Sequence, residues 1–232
     1  SPLDQLNIRK AVFAAINPWE AIDSVWHSTG YISQGIPNTD SSWNMPVADL
    51  QEYLAKPSEA KEYISSLPSN ISRTLTVSVA DYGDMYIQYG DILAKQLEYA
   101  GFEVSIVPVP ILKYPEDIWY GGKYQIFVGP IPPMGTANNY LFSVLHSKGA
   151  WNTHGYNSPS LDSLIEKQSE TLDGQLRGAI MSNIQRHMLE KAVRFMPLTK
   201  VSIWFSWPEV RDFYPNLTSN EYFYLAKTSI SQ

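Results

Sequence analysis

The chain has 232 residues, no cysteine, and 17 Lys+Arg against 23 Asp+Glu, a net charge of −6. This length can bury a sizeable core without covalent staples. The missing cysteine excludes a disulfide-stapled miniprotein, a Cys-ligated zinc or iron–sulfur centre and a cysteine-nucleophile enzyme, and the acidic balance argues against nucleic-acid binding.

Leu6, Ile8/Arg9, Val12/Phe13 and Ile16 recur at helical spacing and predict a first helix, closed by Asn17-Pro18. Pro18 opens a second helix over Trp19–Trp26. A long loop over Gly30–Pro46 follows, then short helices around Ala48–Leu54 and Ser58–Leu67. Thr74–Val79 alternates polar and apolar residues, a strand signature. A helix over Asp84–Tyr99 should bury Ile87, Ile92, Leu93, Leu97 and Ala100, with Gly101 as its stop. Asp84 reads as its N-cap. Phe102–Val109 alternates again, with Phe102, Val104, Ile106 and Pro108 expected on one face. Strand–helix–strand in this order predicts a parallel pair.

Ile111–Trp119 reads as a short helix and Tyr124–Val128 as a third strand. Gly129–Asn139 is a loop with three prolines and two glycines. Tyr140–His146 is a short helix, and Gly149–Ser158 is a second, polar-aromatic loop. Helices are predicted over Ser160–Thr171 and Gly174–Phe195, the second burying Leu176, Ile180, Ile184, Met188 and Ala192. Leu198–Trp207 reads as a last strand, with Trp204, Phe205 and Trp207 in the core. A loop-rich tail closes the chain.

No apolar run approaches the ~20 residues of a membrane span. Ser1-Pro2-Leu3-Asp4 lacks the basic start and apolar stretch of a signal peptide. That start fits a mature cytoplasmic protein or a piece of a longer exported chain. No phosphate-binding glycine motif is present, and the acids flanking Gly83 would repel a phosphate. No G-x-S-x-G elbow is found. His146, His154 and Asp162 could meet in space, but their spacing matches no metal motif. Trp151, Tyr156 and Tyr140 surround the Gly149–Ser158 loop, and such rings line ligand clefts as readily as they pack against a core.

The order of segments resembles a known family. Leu3–Val12 through Ala15–Ile22 is similar to the pattern D-x-R-V-R-x-A-x-x-x-A-I-D-R-x-x-I of the periplasmic solute-binding proteins of oligopeptide, dipeptide and nickel ABC transporters (family 5). Gly35-Ile36-Pro37 resembles the G-x-[IL]-P loop that follows it. Pro57–Ile64 resembles D-P-E-K-A-K-x-L-L, and Ala94–Val104 resembles Q-x-x-L-x-x-I-G-I-K-V. Gly155–Ile165 resembles G-Y-S-N-P-E-F-D-x-L-I. Met196-Pro197-Leu198 matches the x-P-L opening the last strand. Six matches in order span nearly the whole chain.

The resemblance implies an α/β fold, a periplasmic binding protein-like C-terminal lobe (type II, large cluster with an extra domain) with a mixed sheet flanked by helices. The family is about twice this long. Residues 1–205 would then be the C-terminal ligand-binding lobe, and residues 206–232 a tail returning to an N-terminal lobe. The signal peptide would have been lost with that other half.

The implied function is capture of a peptide-like or other small solute between two lobes. The partners would be an ABC permease and the N-terminal lobe, and the location periplasmic or extracellular, membrane-associated only through the transporter. No catalysis, cofactor, metal or nucleic acid is implied. The wall of the cleft would be supplied by Met134, Thr136, Asn138 and Asn139 from the proline-rich loop, and by Trp151, Asn152 and Tyr156 from the second loop. A solute-sensing or chaperone-like domain of the same fold is the alternative, and a hydrolase using His146 or His154 a more distant one.

One departure stands out. After its third strand the family carries G-W-x-A-D-Y-x-D-P, whose first Asp pairs with the α-ammonium of bound peptides. Here that position falls near Pro133, and no acid occurs between Asp117 and Asp162. A buried ammonium without a carboxylate is costly, so an atypical ligand is expected.

Overall fold

The computed structural model describes residues 1–36, 41–131, 134–194, 199–200, 204–215 and 223–231. Helix α1 (Leu6–Ala15) leads through Asn17 into α2 (Pro18–Trp26). The Asn17 side chain accepts from the Glu20 amide at 3.4 Å, the usual way to satisfy a first-turn donor. Strand β1 (Gly30–Tyr31) and helices α3 (Val47–Leu50) and α4 (Pro57–Ser65) follow. Then come β2 (Thr74–Asp81), α5 (Asp84–Ala100), β3 (Glu103–Pro110) and β4 (Ile126–Val128).

These last three strands form one parallel sheet in the order β3-β2-β4, with Val77 opposite both Ile106 and Ile126. β2 lies in the middle. Its Leu75, Val77, Ser78, Val79 and Ala80 are all buried, as a strand covered on both faces requires. Helix α5 lies on it at backbone distance: a Cβ on Gly90 would stand 2.6 Å from Val79 Cγ2. The main core joins α1, α2, α4 and α5 to β2 and β4 through residues such as Ile8, Ala11, Ala60, Leu75, Leu97 and Phe102.

The second half packs α6 (Ala137–Tyr140), a π-helical turn at Leu141–Leu145, α7 (Pro159–Glu170) and α8 (Gly174–Glu190) around Tyr140, Leu141, Leu161, Ile165, Met181 and Ile184. Strand β5 (Thr199–Lys200) runs antiparallel to β1, and β6 (Val210–Arg211) pairs with β7 (Ser229–Ile230). No helix of the described residues is long and apolar enough to cross a membrane.

Several expectations are corrected. Asp84 is the first residue of α5, not its cap; Gly83 occupies that position with φ +114°. Ile87 is exposed, because the buried stripe of α5 runs through Tyr89, Gly90, Leu93, Ala94, Leu97 and Ala100. On β3, Ile106 and Pro108 are exposed and Val109 is buried, since β3 is an edge strand. Leu176 is exposed in the first turn of α8.

Helix α8 also ends earlier than expected. It stops at Glu190, with Ala192 in a left-handed conformation (φ 45°). The expected strand Leu198–Trp207 falls partly outside the described residues. Within them only Thr199–Lys200 is a strand, and Trp204, Phe205 and Trp207 are 49%, 91% and 80% exposed rather than core. An apolar run becomes core only when another layer covers it; here Phe213 stands edge-on to Trp204 at 5.8 Å, and all three residues stay exposed.

Candidate functional site

In open α/β sheets, ligands are met beyond the carboxyl ends of the strands. There, β4 runs into Gly129, where a Cβ would lie 2.5 Å from the Tyr114 hydroxyl oxygen. Only glycine lets the chain pass that close. The Tyr114 hydroxyl then donates to the Pro130 carbonyl at 2.8 Å. Burial pushes this phenol well above its ordinary pKa, so it stays protonated and a donor. Tyr114 meets Trp119 and Phe127 edge-on, at 6.5 and 6.4 Å. Trp119 in turn meets Phe127 at 5.5 Å and Trp151 at 6.3 Å. The strand end thus carries a continuous aromatic wall.

The proline-rich loop delivers its expected residues in different ways. Met134 is buried in the second-half core. The Thr136 hydroxyl caps α6, accepting from the Asn139 amide at 3.2 Å. Asn139 Nδ2 donates to the Met134 carbonyl at 3.1 Å, and Asn138 Oδ1 accepts from Gln168 Nε2 at 2.6 Å. Pro132 and Pro133, including the position of the family's ammonium-binding Asp, lie outside the described residues.

The second loop is pinned from within. Asn152 Nδ2 donates to the carbonyls of His146 and Tyr156, at 3.1 and 3.0 Å. His154 Nδ1 accepts from the Tyr156 amide at 3.2 Å, so its Nε2 carries the proton and donates to the Val144 carbonyl at 3.1 Å. Burial, then the charge of Arg194, pushes its pKa down to about 4, which keeps the ring neutral. The Tyr156 hydroxyl pairs with His187 Nε2 at 3.1 Å, and the Thr153 hydroxyl with that of Tyr124 at 2.8 Å. Trp151 is half-buried between the wall and the second-half core.

Of the trio His146, His154 and Asp162 weighed from sequence, His146 comes within 3.9 Å of Asp162, and also within 3.4 Å of Glu166. His154 turns to Val144 instead. Among the described residues no three His, Cys, Asp or Glu are placed to hold a metal ion.

The structure adds a residue that the sequence reading missed. Arg194 is 8% exposed. Its guanidinium carbon sits 5.7 Å from the Trp119 ring and 5.6 Å from the Phe127 ring. It also hydrogen-bonds the Tyr140 hydroxyl. Among the described residues, Nε and Nη2 are buried with no partner, and so is Asn152 Oδ1. The one available signal was a single cation in the apolar stretch Ala192–Leu198. An open groove of about 870 Å³ lies elsewhere, along Ala55–Glu59, Glu62, Tyr63 and Ser66, and touches none of these residues.

Comparison with known proteins places this geometry in a class. Residues 1–152, about two thirds of the chain, match the family described as bacterial extracellular solute-binding proteins, family 5, Middle. The chain belongs to that family of binding proteins. No curated protein matches the sequence.

Similar solved structures include an oligopeptide-binding protein of Thermotoga maritima bound to mannohexaose (19% identity, TM-score 0.71, 91% of this chain and 44% of that one). A dipeptide-binding protein of Pseudoalteromonas sp. SM9913 in complex with Met-Leu matches at 17% identity and TM-score 0.70, over 86% and 40%. NikZ of Campylobacter jejuni in complex with Ni(L-His) matches at 14% and 0.63, over 84% and 43%. At such identities the likeness establishes a periplasmic binding protein fold. The chain spans about two fifths of these proteins' length.

Proposed function

We propose that this chain is the C-terminal lobe of an ABC-transporter substrate-binding protein, which captures a small peptide-like solute against an N-terminal lobe and performs no chemistry on it. Residues 1–205 form the lobe, and residues 206–232 return to the other one. The protein works outside the cytoplasmic membrane and reaches it by docking on its permease. The aromatic wall, the proline-rich loop and the pinned Gly149–Ser158 loop form one side of the cleft, with Met134, Thr136, Asn138, Asn139, Trp151, Asn152 and Tyr156 at or behind its surface. Closing the second lobe over a preformed wall encloses the ligand.

The observation that carries this reading is the gathering of those loops beyond the carboxyl ends of β2 and β4, in a chain of the solute-binding family. The exposed Trp204, Phe205 and Trp207 suit a segment whose cover comes from elsewhere. The acid-free stretch from Ile118 to Leu161 leaves a peptide ammonium without a carboxylate on this wall.

Calorimetric titration of the complete gene product with short peptides and their N-acetylated forms tests the reading. Micromolar or tighter binding that tolerates acetylation is the expected result. Strict dependence on a free amino end would overturn the atypical-ligand part, and no binding of any peptide-like solute would overturn the whole. Residues 1–232 alone should bind weakly. A thermal shift of several degrees on that piece, with a ligand of the complete protein, would show that one wall suffices.

A further inference from the structure

Among the described residues of the candidate site, the guanidinium of Arg194 is a buried charge without a counter-ion. Nε and Nη2 form the side-on edge of the fork, the edge that matches the two oxygens of a carboxylate. Both atoms are buried and unpaired, while another side of the group meets Tyr140. The rings of Trp119 and Phe127 lie 5.7 and 5.6 Å from the cation. None of the salt bridges among the described residues involves Arg194, and the sequence holds no acid from Ile118 to Leu161.

A buried cation with no carboxylate is strongly unfavourable, and buried polar atoms almost always find partners. The arrangement makes sense if the partner arrives with the ligand. The neighbouring histidine conforms to this: His154 is held neutral beside Arg194, so the wall presents one positive charge rather than a diffuse pair. Arg9 donates from Nε to the Ala192 carbonyl at 3.1 Å and from Nη2 to the Lys191 carbonyl at 3.3 Å. These bonds hold the end of α8, and with it the start of the segment that carries Arg194.

We propose that Arg194 anchors a carboxylate of the solute, held side-on by Nε and Nη2 against the Trp119–Phe127 wall. This rests on the reading that the solute lies at this face, and it supplies the ligand class: the wall selects an acid group, where peptide binders of the family select an ammonium. Because both nitrogens are buried in the free lobe, binding requires that the fork edge be uncovered.

The test uses the complete gene product and matched probes: dipeptides, succinate and citrate, each against the corresponding amide. The free acids should bind about 100-fold more tightly than the amides, since a buried charge pair is being broken. Arg194→Gln should abolish that preference and Arg194→Lys should restore part of it. The Arg194 Nε–H resonance should shift on adding the acid and not the amide. Equal binding of acids and amides, or a preference unchanged in Arg194→Gln, would overturn the carboxylate anchor and leave the solute-binding reading standing. If the glutamine variant does not fold, the acid-to-amide ratio and the Nε–H shift of the wild type still decide. Failure of every probe pair to bind, in acid and amide forms alike, would overturn the anchor together with the solute-binding reading.

Discussion

The sheet core and the strand-end face are built on opposite terms. Around β2, α1 and α5 the interior is mostly apolar, with Ile8, Ala11, Leu75, Val77 and Leu97 fully enclosed. Among the described residues, the four buried side-chain atoms without partners belong instead to Gln34, Asn152 and Arg194. All three sit near Tyr140 or the second loop: the Gln34 carbonyl accepts from the Tyr140 hydroxyl at 3.4 Å, Arg194 bonds the same hydroxyl, and Asn152 lies in the loop. One region is saturated and the other is left incomplete. Unpaired buried groups cost stability, so stability is concentrated in the first region; under the proposed function the second is where a solute would be met.

The contrast is broken most forcefully from the core side. Leu97→Ala removes a fully enclosed side chain between α5 and the sheet and should cost about 3–4 kcal/mol, the usual range for a buried leucine whose cavity cannot collapse. Urea denaturation of the variant checks this. A loss below about 1 kcal/mol would mean that the core is far more plastic than its packing implies, and the distinction between the two regions would lose its basis.

The incomplete region should show itself in the pH dependence of stability. His154 titrates near 4 when folded and near 6.5 when unfolded. Between those values the unfolded chain binds more protons, so stability is at its full value above about pH 6.5 and falls as pH falls toward 4. The total loss is about 3 kcal/mol. His187, whose pKa is also lowered, chiefly by burial, adds a loss of the same sign. His154→Gln should flatten most of the slope between pH 4 and 6.5 relative to wild type. Parallel slopes in the two proteins would show that His154 is not held neutral by its surroundings.

Much of the saturated region was legible in the sequence because its rules are local. Asn17-Pro18, Gly101 and the alternation in Thr74–Val79 are each read within a few residues. The fold class followed from the order of six short segments. Errors began where burial depends on distant layers. Ile87, Ile106 and Leu176 fit their periodicities, yet all three are exposed, Ile106 on the edge strand β3. Trp204, Phe205 and Trp207 looked like core only because their own segment is apolar. Arg194 left only a faint mark, one cation in an apolar stretch, for the same reason. Its meaning comes from Trp119 and Phe127, far away in the chain, and from acids that are absent. Asn152 could be named from its loop, but the division of its side chain into two satisfied donors and one orphan acceptor could not.

The smallest expected effect probes the seam between the regions. Tyr114 belongs to the aromatic wall, but its hydroxyl serves the backbone by donating to the Pro130 carbonyl. Tyr114→Phe keeps the ring and its edge-on contacts while leaving that carbonyl without this donor. The cost should be about 1 kcal/mol, the net worth of one such bond, read as a shift in urea midpoint with unchanged slope. The same change gives no room for a side chain at position 129: a Cβ there would still lie 2.7 and 2.8 Å from the ring carbons Cζ and Cε2. Gly129→Ala should therefore destabilise the Tyr114→Phe protein as well as the wild type. If the phenylalanine background accepted alanine freely, the wall would be held by the hydroxyl rather than by the packed ring, and the strand-end face would be softer than its aromatic contacts require.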